Sequence, residues 1–298
     1  PWDYQEREFR PGLWGAAIDP AESVYEYLEL FYGIRRIQWV MERSNALDFV
    51  TTAAPGLRDL LLVGKLYEIE ARRRPDGRRA YDLIVVDAPP TGRIVPFLQA
   101  PDAVTEIVRT GPIRRQSSQI KEMLADPRRV QTVLVTMLEE MPVRETVESI
   151  DALRSAGIGI GPVIANQASV PRLDDAMLAV LSSMGPEGLR TTAEDAGARM
   201  SGRTAELALE LARAHRDRLQ LEGGLHLELR SAAPSDVLSL PLLTGASFGA
   251  DELELLADVL ALQVGEDGPR AEEGLDEEAL AAFLDGSDRA ADHEEADA

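Results

Sequence analysis

A chain of 298 residues with 52 acidic and 31 basic side chains carries a net charge of −21, which repels phosphate backbones at long range and argues against nucleic acid as a partner. Hydrophobic residues make up 45% but aromatics only 5%, so the core is aliphatic, as in a buried parallel sheet covered by helices. With no cysteine, a disulfide framework and thiolate zinc sites are excluded; no run of about 18 apolar residues is present to span a bilayer, and a cytoplasmic setting fits.

Taken in chain order, Pro1-Trp2-Asp3-Tyr4 has no Met, no basic region and no apolar signal segment, so it reads as an internal start. A first apolar run, Leu13–Ile18, leads to Asp19-Pro20, a stop-and-cap pair ahead of the periodic stretch Ser23–Phe31. Leu47–Thr51 is a second short run. Leu57–Ala71 repeats apolar residues at 57, 60, 61, 63, 66 and 69 and predicts a helix. Arg72-Arg73-Arg74 and Arg78-Arg79 flank Pro75-Asp76-Gly77, a turn signal, and read as a solvated connection.

Tyr81–Val86 then runs into Asp87 and on through Ala88-Pro89-Pro90-Thr91-Gly92. Four apolar residues in succession predict a central strand buried on both faces. An aspartate at its end would stand at the carboxyl edge, where open α/β sheets bind ligands. There a carboxylate can hold Mg²⁺, usually through water, beside nucleotide phosphates. The prolines restrict the following loop, and Gly92 permits backbone shapes closed to other residues, which suits a switch.

Thr132–Thr136 and Pro162–Ala165 are further strand candidates, separated by the helical stretch Val143–Ala156 and the stop Gly157-Ile158-Gly159-Ile160-Gly161. Arg172–Gly223 breaks the strand–helix rhythm and predicts a helical insertion, either a packing subdomain or a client surface. Leu225–Leu229 resumes the short apolar runs. Gly245-Ala246-Ser247-Phe248-Gly249 has the text of a nucleophile elbow. The only histidine after it is His293, in the tail, so a serine hydrolase is set aside. His215 and His226 are isolated, without metal-ligand spacing. From Gly265 to Ala298 there are 13 acidic and 2 basic residues, a composition that predicts disorder. The alternation predicts an α/β fold with a mainly parallel sheet and flanking helices. It divides into residues 1–262, with the helical insertion at about 172–223, and an acidic tail at 263–298.

Asp87 to Gly92 resembles the switch II signature of the arsenical-pump and tail-anchored-protein-targeting ATPases, whose pattern is Asp-x-Ala-Pro-Thr-Gly-His. Other segments resemble that family in order. They are Ala54-Pro55-Gly56-Leu57-Arg58-Asp59, Val108 to Gln116 (similar to its actinobacterial branch), Thr136 to Thr146, Ile164-Ala165-Asn166-Gln167 and Leu240-Pro241-Leu242-Leu243. The resemblance implies a P-loop NTPase fold with ATP and Mg²⁺ as ligands. It gives Asp87 the catalytic and metal-shell role and places Pro90, Thr91 and Gly92 in the switch loop. Asn166 and Gln167 fall at the adenine, with Pro241 and Leu242 in the loop that closes over it.

It also implies a dimer, of identical subunits or with a paralogue, that couples ATP hydrolysis to a transporter or membrane-protein client. The pattern Gly-Lys-Gly-Gly-x-Gly-Lys-Ser/Thr does not occur in the 298 residues. The expectation is therefore either a fragment lacking its first βα unit or a non-hydrolytic paralogue, acting as a partner subunit or a chaperone-like binding module. Arg93 stands where the family has His and Pro89 where it has Ala. The lack of cysteines removes the thiolates for arsenite and for intersubunit zinc.

Overall fold

The computed structural model describes residues 4–19, 22–23, 55–107, 110–171, 173, 175–243 and 248–264. The helix expected at Ser23–Phe31 (from residue 24), the strand at Leu47–Thr51, Gly245 to Ser247 and the acidic tail from 265 lie outside them. The chain divides into two compact units, residues 1–132 with 151–160 and residues 133–150 with 161–298. None of the described helices is long and apolar enough to cross a membrane.

In the first unit, β1 (Arg7–Arg10) and β2 (Leu13–Gly15) form an antiparallel hairpin turned at Gly12, whose φ is +78°. The Leu13 run thus makes a three-residue strand outside any parallel sheet. Asp19 ends the connection as the sequence suggests: its Oδ1 accepts from the Glu22 N–H at 3.1 Å. Among the described residues four helices follow, α1 (Pro55–Ala71), α2 (Thr91–Leu98), α3 (Ala100–Ile107) and α4 (Pro112–Ala125). Their apolar stripes meet in one cluster of Leu60 and Val63, Ile94 and Phe97, Val104, and Ile120, Met123 and Leu124. Gly64 of α1 faces α4, where a Cβ would make an ordinary contact 3.8 Å from Ile120 Cδ1.

Between α1 and α2 the structure departs from expectation. Tyr81–Val86 forms no strand. Leu83 and Val85 are 79% and 84% exposed. A strand is made by its neighbours, and none of the described residues pairs with this segment. Its first residue is anchored, since Tyr81 Oη donates to Glu6 Oε2. Burial and that bond hold the phenol above its usual range.

The arginine cluster is likewise more structured than a solvated loop. Arg73 and Arg79 form an antiparallel bridge around the Pro75–Gly77 turn. Arg72 lies between Glu6 and Glu68, at 2.7 and 2.9 Å. Glu70 takes Arg129 at 2.6 Å and Arg79 at 3.0 Å, and the Arg129 guanidinium holds its carboxyl below the usual range.

The second unit carries a three-stranded parallel sheet in the order β3 (Thr132–Met137), β4 (Ile160–Ala168), β5 (Val237–Pro241). Helix α5 (Glu140–Ser155) crosses from β3 to β4, the connection that parallel neighbours require. It stops at Gly157 (φ +70°), where the Ile158 N–H reaches back to the Leu153 carbonyl at 3.0 Å, a left-handed C-terminal cap.

Helices α6 (Asp175–Ser183), α7 (Pro186–Asp195) and α8 (Gly202–Ala232) form the insertion. It runs past Gly223 to Ala232. Leu225–Leu229, expected as a strand, is therefore helix. Leu225 and Leu229 are four apart, bury on the same face, and pack with α8 against the sheet. Leu240-Pro241, expected in a loop, ends β5 instead. Helix α9 (Ala250–Val264) closes the unit, and its Gln263 side chain bonds the backbone N–H and C=O of Ser239 at 2.8 and 2.9 Å.

Candidate functional site

The sequence-selected residues fall into two groups, one in each unit. In the first, Asp87 follows the unpaired Tyr81–Val86 segment with an exposed carboxylate, and no salt bridge ties it among the described residues. Pro89 and Pro90 then lead into α2. Pro90, at φ −61° and ψ 163°, occupies the N-cap position, and its carbonyl accepts from the Arg93 and Ile94 N–H groups at 2.8 and 3.1 Å. A proline has no side chain with which to cap, so Pro90 gives the first-turn amides of Thr91 and Gly92 no side-chain acceptor. An uncapped first turn favours anions, phosphate oxygens among them. The helix behind it is fixed by Ile94 and Phe97, both buried in the aliphatic cluster.

Gly92 does not take a backbone shape special to glycine. It lies in the first turn of α2, and a Cβ there would meet nothing within 4 Å. The flexibility expected of it is absent from this conformation. Arg93 extends toward Asp59, with Nη2 3.9 Å from Oδ1. At 67% side-chain exposure that pair is screened by water and weak.

The second group is more closely organised. Parallel β4 and β5 run in register from Val163↔Val237 to Ala165↔Ser239, then slip, so that Ala168 faces Pro241. The slip is a bulge formed by Asn166 and Gln167. Gln167 takes φ +56°, a left-handed conformation in a residue that is not glycine. Such backbone strain costs on the order of 1 kcal/mol or more and concentrates at functional sites. Asn166 Oδ1 accepts from the Gln167 N–H at 3.0 Å, which holds the side chain at the corner. Beyond the bulge the Leu242 N–H donates to the Ala168 carbonyl at 2.9 Å, bringing Asn166, Gln167, Pro241 and Leu242 to one carboxyl edge. Leu242 is 41% exposed there, an apolar surface next to an amide.

Sequence reasoning missed what secures this corner. Just after β4, Ser169 donates both its N–H and its hydroxyl to Glu222 of α8, each at 2.8 Å. Glu222 is buried to 5% exposure and takes a third bond from Arg218 Nε at 2.6 Å. His226, one turn further along α8, lies 3.4 Å from Ser239 Oγ; burial, with help from Arg230, holds its pKa below the ordinary value.

Among the described residues no group of three or more acidic or histidine side chains could hold a metal. Mg²⁺, however, keeps most of its waters and takes one or two carboxylates beside substrate phosphates. A single exposed carboxylate such as Asp87, which has no ion pair among the described residues, fits that donor set.

Residues 4–116 match the family model of anion-transporting ATPases. That stretch includes the hairpin, α1, Asp87, α2, α3 and the start of α4. The chain is 41% identical over 172 residues to the ATPase BagA of Mycobacterium tuberculosis, covering 56% of this chain and 50% of that protein. The same figures hold for a protein of Mycobacterium bovis that carries a provisional ATPase name. The chain spans about half the length of the curated relatives it matches.

Proposed function

We propose that this chain is the nucleotide-handling part of an ATPase, with its base-binding end at the Asn166–Gln167 corner. The observation that carries the reading is this corner: a strained bulge presents an amide at the carboxyl edge of a parallel sheet, next to exposed Leu242. The Asn166 side chain can donate from its NH₂ and accept on a free lone pair of Oδ1, the pair of functions that reads an adenine edge. Leu242 offers an apolar face for the ring.

In the first unit, taken by itself, Asp87 with Thr91 and Gly92 is the candidate phosphate-facing group. The Thr91 and Gly92 N–H groups receive phosphate oxygens, and the Asp87 carboxylate orients the water shell of Mg²⁺. The ion, when bound, neutralises charge on the phosphates during transfer. The Pro89–Arg93 segment, stiffened by its prolines, senses whether a terminal phosphate is present. The family resemblance adds that two copies, or one copy and a paralogue, close around nucleotide and act on a membrane-protein or transporter client. Sedimentation with and without Mg-ATP tests the closing step.

Phosphate release from Mg-ATP, measured on a protein that joins this chain to a Gly-Lys-Gly-Gly-x-Gly-Lys-Ser/Thr loop, tests the main reading. Asp87→Asn removes the charge while keeping the shape, and turnover is expected to fall at least about tenfold, the scale of a lost charge-stabilising group. Equal turnover in wild type and variant would remove Asp87 from the chemistry.

A further inference from the structure

We propose that Glu222 is a positioning residue for the nucleobase: through Ser169, helix α8 sets the shape of the Asn166–Gln167 corner. The inference rests on the reading of that corner as a base site and extends it to the helical insertion.

Glu222 is an acid in a place where acids are rare. Its side chain is 94% buried, from 6% exposure, and buried carboxylates persist only when their oxygens are satisfied. All three donors that satisfy them are on the page: the Ser169 N–H and Oγ at 2.8 Å and Arg218 Nε at 2.6 Å. Arg218 Nε also lies 3.1 Å from Ser169 Oγ, so the three residues close a ring of charge-assisted bonds. Two of the bonds go to Ser169, which lies 53 positions away in sequence and three residues beyond Asn166.

The geometry explains why a charge is worth keeping there. Gln167 is held in a left-handed conformation that its own residue type disfavours. A bulge of this kind persists only when the chain is clamped on both sides. On one side is the β4–β5 ladder up to Ala165; beyond the bulge are the Leu242 N–H on the Ala168 carbonyl and Glu222 on Ser169. An apolar side chain at 222 would fill the space but leave the Ser169 N–H unpaired, and the corner would relax. The same clamp ties the base site to the insertion. Base binding that stiffens the corner stabilises the α8 contact, and anything that moves α8 at Glu222 changes affinity for the base by the same factor.

Two measurements on the 298-residue protein test this, using wild type, Glu222→Gln and Ser169→Ala. The first is amide hydrogen exchange at Ser169. Glu222→Gln removes the charge and one acceptor, so exchange at Ser169 is expected to accelerate about tenfold or more while Val163 in the same strand stays protected. Unchanged protection at Ser169 would overturn the proposal without reference to any ligand.

The second is the ratio of affinities for adenosine and inosine, which differ at the base edge that Asn166 reads. Wild type is expected to prefer adenosine, Glu222→Gln to bring the ratio close to one, and Ser169→Ala, which keeps the backbone bond, to lower it about threefold. Should Glu222→Gln fail to fold, the Ser169→Ala ratio decides. A lowered melting temperature with the wild-type ratio intact would make Glu222 merely structural and overturn the inference, leaving the base site in place. Failure of wild type to bind adenosine would overturn the base site itself and the positioning role with it.

Discussion

Leu83–Val86 in the Tyr81–Val86 segment and Val163–Ala165 in β4 are similar, each a short aliphatic run followed directly by a polar side chain, Asp87 or Asn166, at a site of chemical interest. In the second, Val163 and Ala165 are fully buried and the strand pairs on both edges. In the first, Leu83 and Val85 stand in solvent and no described residue pairs with them. Strand character is therefore a statement about fit to neighbours, and the same letters without neighbours give a segment with apolar side chains outward. The difference carries to function. The corner at the end of β4 is shaped by its ladder, by α8 and by Leu242, whereas among the described residues Asp87 is placed by the chain leading into α2.

The sharpest way to break this comparison is to put one charge into each run. Val163→Asp buries an unpaired carboxylate in the β4 ladder and is expected to cost about 4 kcal/mol or more, enough to unfold the second unit. Val85→Asp, at an exposed position, is expected to stay within about 0.5 kcal/mol. Urea denaturation followed by circular dichroism measures both. Comparable losses would mean that Tyr81–Val86 is covered.

A smaller effect separates two glycines. A Cβ on Gly159 would lie 2.9 Å from the Val130 carbonyl oxygen and 3.3 Å from Pro127. Gly159→Ala is therefore expected to cost about 1–3 kcal/mol by overpacking backbone against backbone. Gly92→Ala meets open space inside a helix and is expected to be neutral or to stabilise by up to about 1 kcal/mol. Destabilisation by Gly92→Ala would restore the hinge that its sequence context suggested.

Acid distinguishes the β5 side by a third route. Burial holds the His226 pKa below its ordinary value near 6.5, with Arg230 adding to it, so the unfolded chain takes up the proton first. The stability contributed by neutral His226 is full above the unfolded value and is lost as pH falls from there toward the folded one. His226→Gln is expected to flatten the fall in melting temperature between pH 7.5 and 5.5. An unchanged slope would show that the ring titrates as if exposed. The smallest effect is expected at Gly223, mid-way along α8 with open space at its Cβ position. There Gly→Ala should raise stability by about 0.5–1 kcal/mol in the same urea assay.

Much of the second unit was legible from local pattern. Thr132–Thr136 and Pro162–Ala165 announce themselves as apolar runs inside β3 and β4, and Gly157, at φ +70°, marks the end of α5. Leu225–Leu229 was misread because five residues carry too little period. The spacing of Leu221, Leu225 and Leu229 at every fourth position already pointed to a helix. Val237–Pro241 was missed because Pro241 suggests a loop, yet at the end of an edge strand it removes no needed donor. The Asn166–Gln167 pair could be selected by resemblance, but its clamp could not: Ser169 and Glu222 meet only after α8 folds back across the sheet.

The claim on which the account turns is that the β4–β5 carboxyl edge takes a nucleotide base. Titration of the isotope-labelled protein with Mg-ATP, followed at the Asn166 side-chain amide and the Gln167 and Leu242 backbone amides, tests it most directly. Saturable shifts centred on those three residues are the expected result. Shifts confined to other parts of the chain, or none at millimolar nucleotide, would contradict it.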